Sequence, residues 1–218
     1  MLTCDLILPC RDEAAALPAL LARVPHGIRA VVVDNGSRDG TAAVALRHGA
    51  ALVVEPRPGY GAAVRAGIAA STADLVAVMD ADGSLDPAEL APLLDAVSRG
   101  GVTMAAGRRR PVGRGVWPWH ARLGNALALS VLRRRTGLSL GDVPCVRVCR
   151  RTDLLDLGVQ DVRFGYPVEL LVRAARAGWV VTEHDMSYGP RAAGTKSKVS
   201  GSIVGSARAA RDLVRVLP

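Results

Sequence analysis

Leu75-Val76-Ala77-Val78-Met79-Asp80-Ala81-Asp82-Gly83 is the stretch whose reading decides the fold. Its apolar run is short, valine-containing and free of polar alternation, which suits a strand buried on both faces. Asp80 and Asp82 then fall at the strand's carboxyl end, where open α/β sheets hold their ligands. Two carboxylates one residue apart, followed by a glycine, suit a hard divalent cation such as Mg²⁺ or Mn²⁺. An acidic turn is the plainer alternative, because Asp and Gly favour turns in any case.

Before this strand the pattern repeats three times. Strands are expected at Asp5 to Pro9, Arg29 to Val33 and Ala51 to Val54. Helices are expected from Asp12-Glu13 through Val24, from Asp39-Gly40-Thr41 to about His48, and from Gly59-Tyr60-Gly61 to about Ser71. After it, Asp86-Pro87 caps a further helix, with proline in its first turn, and Val102 to Ala106 reads as a fifth strand. Strand and helix alternating with short connections predict a mostly parallel, doubly wound α/β sheet.

The remainder changes character. Gly107 to Val116 reads as an Arg-, Gly- and Pro-rich loop, followed by a helix from about Trp119 to Arg134. Val146 to Cys149 and Trp179 to Glu183 read as strands, with a helix from Phe164 to Ala177 between them. Ser187 to Gly201 is polar, basic and glycine-rich, and a final helix is expected from about Ser202 to Val216. No repeat and no linker interrupts the chain, so one domain over residues 1–218 is expected.

The 218 residues suffice for a substantial core, and with half of them hydrophobic but only 3% aromatic, that core must be mostly Val, Leu and Ala. A formal net charge of +8 suits anionic partners: nucleotides, phosphorylated substrates or an anionic membrane surface. Nucleic acid fits the charge alone, because no aromatic residues interleave the basic ones. Cys4, Cys10, Cys145 and Cys149 form no CxxC pair and read as buried, reduced thiols, which implies the cytoplasm. The residues after Met1 fit no signal peptide, and no apolar stretch approaches the ~20 residues of a membrane span, so peripheral membrane contact is the most to expect.

Three strand ends should converge on one crevice: Pro9-Cys10-Arg11-Asp12-Glu13, Asp34-Asn35-Gly36-Ser37 and Asp80-Ala81-Asp82. An Asp at the second end accepts hydrogen bonds from a base or ribose, and small residues beside it let a ring approach the backbone. Asp-x-Asp-Gly after a strand also occurs in haloacid-dehalogenase-type phosphatases. There it normally follows the first core strand, whereas here three strand–helix units precede it. Gly59-x-Gly61 suggests a dinucleotide turn, but Val64 stands where its third glycine belongs.

In these residues the sequence resembles the family 2 glycosyltransferases with the GT-A fold, and within them the dolichyl- or polyprenyl-phosphate mannosyl- and glucosyltransferase branch. Leu8 to Glu13 resembles the family's P-x-Y-N-E, with Arg11 where an aromatic is usual. Val33 to Thr41 resembles V-D-D-G-S-x-D-G-T, with Asn35 for the second Asp, and Asp80-Ala81-Asp82 resembles the DxD motif. Gly59 to Gly67 resembles the helix before the metal strand, Asp142 to Arg147 the D-x-x-x-G-F-R segment, and Phe164 to Glu169 F-G-W-x-x-E. Arg191 to Gly201 resembles R-x-x-G-x-S-K-x-S-G.

The resemblance implies a metal-dependent inverting glycosyltransferase. Its donor would be a nucleoside diphosphate sugar, held with the metal by residues 1–107. Its acceptor would be a lipid phosphate, held by residues 108–218. Pro9, Arg11, Glu13, Asp34, Gly61 and Asp80 would line the nucleotide sugar, and Asp80 and Asp82 would hold Mg²⁺ or Mn²⁺. Arg147, Arg191, Lys196 and Lys198 would dock an acceptor phosphate. A hydroxyl acceptor would instead need a base, for which Asp142 and Glu169 are the candidates.

Overall fold

The computed structural model describes residues 2–113 and 115–192. Its chain order is β1 (Cys4–Cys10), α1 (Leu17–Leu21), β2 (Ile28–Asp34), α2 (Thr41–Arg47), β3 (Ala51–Val54), α3 (Tyr60–Ala70) and β4 (Leu75–Met79). A 3₁₀ turn over Pro87–Leu90 leads into α4 (Ala91–Ser98). Then come β5 (Met104–Pro111), α5 (Trp119–Thr136), β6 (Val146–Arg150), α6 (Arg151–Asp156), α7 (Tyr166–Arg176) and β7 (Val181–Tyr188).

All the strands join one sheet in the order β3-β2-β1-β4-β6-β5-β7. β6 runs antiparallel to both of its neighbours and the other pairings are parallel, so the expected doubly wound α/β architecture holds. β4 is buried along its whole length. Its alternate residues feed two cores: Leu75, Ala77 and Met79 pack on one face of the sheet, Val76 and Val78 on the other. Each such buried aliphatic side chain contributes roughly 1.5–3 kcal/mol, which fixes β4 at the centre.

Two expectations need correction. The helix expected from Asp12 to Val24 contracts to Leu17–Leu21, and Asp12 adopts a left-handed φ of 56° instead of opening the helix. The cause is a set of hydrogen bonds to the loop after β2. The Asp12 N–H donates to Ser37 Oγ at 3.0 Å, the Glu13 N–H to Thr41 Oγ1 at 3.0 Å, and the Ala14 N–H to Asp39 Oδ2 at 2.9 Å.

The loop expected from Gly107 begins instead as strand, because β5 runs on to Pro111 beside a β7 that extends to Tyr188. Their register sets Arg108 opposite Asp185, and Asp185 also pairs with Arg110, at 2.6 and 2.7 Å. That ladder outweighs the glycine and proline content that suggested a loop. Lys196, Lys198 and the expected final helix lie outside the described residues.

Far from the carboxyl ends, β1 and β2 are locked by one charged pair. Asp5 and Arg29 are register partners, with Arg29 Nε donating to Asp5 Oδ1 at 2.9 Å and the Ser71 hydroxyl to Oδ2 at 2.6 Å. Burial works against the Asp5 charge, but Arg29 and Ser71 outweigh it and hold the carboxyl below its ordinary value. A folded-state value below the unfolded one means that this stabilisation is present above the ordinary carboxylate range. It is lost as the pH falls through the folded value. Asp5→Asn should therefore cost about 1–3 kcal/mol at neutral pH. The wild-type advantage should shrink on acidification below about pH 4, read by denaturant melts across pH.

Candidate active site

The parallel register of β1, β2 and β4 brings three chain ends to one edge of the sheet. Cys10 lies opposite Asp34, and Ile7 opposite Val78, so Asp80 follows β4 beside the end of β1. Asp34 Oδ1 accepts the Ser37 N–H at 2.9 Å, turning the chain after β2. The expected convergence of Pro9, Arg11, Glu13, Asp34, Asp80 and Asp82 on this edge is thus met by the backbone.

Antiparallel β6 inserts a cation here. It pairs Val78 with Arg147 and Met79 with Val146. The Arg147 side chain is buried, its guanidinium carbon lying 5.7 Å from the Tyr60 ring centroid. Nη2 donates to the Tyr60 hydroxyl, while Nε and Nη1 are buried without hydrogen-bond partners. Burial raises the Tyr60 phenol to about 12, against the opposing pull of Arg147.

Two further arginines arrive from the other strands. After β7 the chain folds back over the loop that follows β4. The Gly189 N–H donates to Ser84 O at 2.8 Å and the Ala192 N–H to Asp82 O at 3.0 Å, and the Arg191 guanidinium pairs with the Asp82 carboxylate. Asp82 Oδ1 also accepts the Ser84 N–H at 3.0 Å and its hydroxyl at 2.6 Å. On β5, Arg109 lies 4.5 Å from the Trp117 ring centroid and 5.7 Å from that of Tyr188. Burial opposes its charge, and the Asp142 carboxylate more than compensates, so Arg109 stays firmly protonated.

Asp80 is the focus of these charges. Burial first, then the adjacent Asp82, raises its carboxyl above the ordinary value, against the pull of Arg147, Arg109 and Arg191. Among the described residues no group of three or more His, Cys, Asp or Glu is arranged to hold a metal. Two carboxylates nonetheless fit Mg²⁺ or Mn²⁺, which are commonly held by one or two carboxylates together with phosphate oxygens. Their placement one residue apart after the buried end of β4 suits such an ion, which would offset both the burial of Asp80 and the charge of Asp82.

The structure separates other residues from the roles that the sequence suggested. Asp142 is buried, and its carboxylate accepts from Arg109 three times: the N–H at 2.9 Å, Nε at 2.8 Å and Nη2 at 2.6 Å. It holds Arg109 in place. Glu169 accepts the Asp161 N–H at 2.6 Å, the Gln160 N–H at 3.0 Å and Arg173 Nε at 2.6 Å, so it ties the loop before α7. Neither is free to act as a base.

Gly61 also moves from the nucleotide to the scaffold. Its N–H donates to Arg163 O at 3.2 Å, and a Cβ at Gly61 would lie 2.1 Å from Asp161 O. The glycine pair that opens α3 thus lets residues 161–163 pack against it, with Gly59 in the same position at 2.0 Å from Val162 O.

Sequence reasoning passed over Tyr60 and Arg109 as site residues. Tyr60 was legible only as part of Gly-Tyr-Gly, and Arg109 sat among arginines assigned to a loop. Asn35 departs from the family's Asp, and the structure supplies the reason. Its amide Nδ2 donates to Glu55 O and Arg57 O, both at 2.8 Å, and its Oδ1 accepts the Gly59 N–H at 2.8 Å. An amide satisfies two carbonyls and one N–H, whereas a carboxylate cannot donate to either carbonyl.

Residues 5–158 match the family model described as "Glycosyl transferase family 2". The chain is 56% identical over 97% of its length to a protein named an uncharacterized glycosyltransferase of Mycobacterium tuberculosis, covering 96% of it. It is 34% identical over 90% of its length to a polyprenol monophosphomannose synthase of Mycolicibacterium smegmatis, covering 80% of that relative. Its fold matches that of glucosyl-3-phosphoglycerate synthase from Mycobacterium tuberculosis, solved with Mn²⁺, UDP and glucosyl-3-phosphoglycerate. There the TM-score is 0.77 at 22% identity, over 99% of this chain and 80% of that one.

Gly61→Ala should destabilise the fold by at least about 2 kcal/mol, since its Cβ meets a fixed carbonyl. The folded fraction should keep its affinity for nucleoside diphosphate, read by calorimetry beside a thermal melt.

Proposed function

The chain belongs to glycosyltransferase family 2, and from that membership we propose that it moves a sugar from a nucleoside diphosphate donor to a polyprenyl-type phosphate, with inversion and with Mg²⁺ or Mn²⁺ bound. The observation that carries this reading is that Arg191 pairs with Asp82 while the charges of Arg147, Arg109 and Arg191 all act on Asp80. Fixed guanidinium groups beside a two-carboxylate cation site match a reaction in which every reacting partner carries phosphate.

In this reading Asp80 and Asp82 hold the metal, which when bound neutralises the donor diphosphate as it leaves. Pro9, Arg11, Glu13 and Asp34 line the base and ribose at the ends of β1 and β2. Arg191, now paired with Asp82, would be the guanidinium offered to a phosphate if a metal were bound by that carboxylate. Lys196 and Lys198, five and seven residues further on in sequence, are proposed as further cations for the same phosphate.

The chemistry balances without a base. An oxygen of the acceptor phosphate attacks the anomeric carbon, and the bond from that carbon to the diphosphate oxygen breaks on the opposite face. The diphosphate leaves with the electron pair. The acceptor is already an anion at neutral pH, so no proton has to be removed from it. That Asp142 and Glu169 are both occupied by hydrogen bonds therefore supports a phosphate acceptor over a hydroxyl. Relatives named for polyprenol and undecaprenyl phosphate point the same way.

A panel of nucleoside diphosphate sugars, assayed with Mn²⁺ against polyprenyl phosphate and against soluble alcohols, tests the whole reading. Transfer to alcohols alone would overturn the acceptor assignment. Asp82→Asn should lower kcat/KM by roughly 10²–10⁴-fold and remove the Mn²⁺-dependent rise in melting temperature seen with nucleoside diphosphate. Arg191→Ala should leave Mn²⁺ binding intact, because it removes the competitor for Asp82. It should raise the KM for the phosphate acceptor about tenfold or more. Equal loss of donor and acceptor affinity would show that Arg191 does not dock the acceptor.

A further inference from the structure

Surface helices are usually polar on their outward face, and α5 instead carries a row of large apolar side chains there among its arginines. Trp119, Leu123 and Leu127 follow one another at four-residue spacing and are 75%, 53% and 59% exposed. Residues four apart stack on one side of a helix, so the three form a continuous stripe. The opposite side is committed to the body of the protein. Ala128 and Leu132 are buried there, and Asn125 Oδ1 accepts the Val143 N–H at 3.0 Å. Isolated exposed leucines need no explanation, but an aligned row of large apolar side chains does. Over its 18 residues α5 holds no Asp or Glu, while Arg122 and the run Arg133 to Arg135 supply cations.

We propose that α5 lies flat on an anionic lipid surface. Trp119, Leu123 and Leu127 enter the headgroup–acyl boundary, and the arginines contact lipid phosphates. The proposal rests on the polyprenyl-phosphate reading and deepens it by naming the face through which the acceptor is taken from the membrane. A basic, acid-free helix with a row of Trp and Leu on its exposed side has the composition of an interfacial helix. No helix among the described residues is long and apolar enough to cross a membrane, so contact through α5 would be with the surface.

Charge decides among the possible occupants of the stripe. A second copy of the chain would set the same arginine-bearing, acid-free helix against itself. Residues 193–218 carry five Lys and Arg against the single acid Asp212, so they too would bring like charge. An anionic bilayer supplies the missing negative charge as well as an apolar medium. The helix is also well placed to deliver a lipid. Asn125 grips the backbone of Val143, whose neighbour Asp142 fixes Arg109 at the candidate site.

The test uses the full chain and vesicles of phosphatidylcholine with or without phosphatidylglycerol. Wild-type protein should sediment with the anionic vesicles, more weakly as salt rises, and poorly with phosphatidylcholine alone. The double variant Leu123→Glu/Leu127→Glu should lose at least about tenfold in vesicle partitioning, with its thermal melt and nucleoside diphosphate affinity unchanged. Brominated lipid should quench tryptophan emission in the wild type and not in Trp119→Phe.

Equal partitioning of variant and wild type, or no partitioning by either, would overturn the proposal. So would a dimer that the double variant dissociates. A vesicle-free monomer in which Leu123→Cys resists alkylation would also overturn it, because the chain itself would then cover the stripe.

Transfer to a short-chain polyprenyl phosphate in detergent separates this surface from the catalytic reading. The double variant should keep that activity and lose transfer to acceptor embedded in vesicles. A wild type that partitions onto vesicles but transfers sugar to neither acceptor would refute the acceptor reading and leave the docking surface standing.

Discussion

The structure is organised around the charge of one carboxylate. Asp80 stands at the end of a strand buried on both faces, where ionisation is opposed by burial and by its neighbour Asp82. Arginines approach from three other parts of the sheet to offset that cost. Arg147 comes from β6, which reverses direction next to β4, and Arg109 from β5. Arg191 comes from the segment after β7. The second half of the sheet reads as a device for bringing cations to the end of the first half. Nothing in the packing of an α/β core demands arginines there, and burying them is costly unless they have charge to meet.

The arginines differ in how firmly they are held, and the difference bears on their roles. Arg109 is chelated by Asp142 and flanked by Trp117 and Tyr188, so its position is fixed before any ligand arrives. Arg147 has two buried nitrogens without partners, which marks a group waiting for an acceptor. Arg191 has a partner, but that partner is Asp82, one of the two carboxylates suited to a metal. In the reading proposed above, a metal on Asp82 would compete with Arg191 for that carboxylate and would leave the guanidinium more available to phosphate.

The fold was largely legible because it rests on burial patterns that a sequence records directly. The all-apolar β4 and the alternation of strands and helices through residue 106 needed only hydrophobicity and turn residues. What was not legible depended on partners distant in sequence. The start of α1 moved because Asp12, Glu13 and Ala14 bond to residues 25 or more positions away. β5 and β7 run longer than composition suggests because each is the other's ladder. The site shows the same division. Asp80, Asp82 and Asp34 follow from strand ends, whereas the donors that occupy Asp142, offered with Glu169 as a base only for a hydroxyl acceptor, lie 33 residues away on Arg109 and were not visible in the sequence. Gly61 was misplaced for the matching reason: the close approach it permits is to the protein's own backbone at Asp161.

The occupation of those two carboxylates constrains the chemistry more than the motifs do. An enzyme that transfers sugar to a hydroxyl must take a proton from it near the transition state, and needs a base within hydrogen-bond reach. Here Asp142 is spent on Arg109, and Glu169 on Arg173 and two backbone N–H groups. Asp80 and Asp82 are the two carboxylates proposed for the cation, and burial together with the Asp82 charge raises Asp80 above its ordinary value in spite of the nearby guanidinium groups. An acceptor phosphate reverses the requirement: it brings its own negative charge, needs no deprotonation and is drawn to the same arginines. The surplus of fixed positive charge and the absence of a free base from the positions proposed for one both suit the acceptor proposed above, an anionic headgroup carried on a lipid.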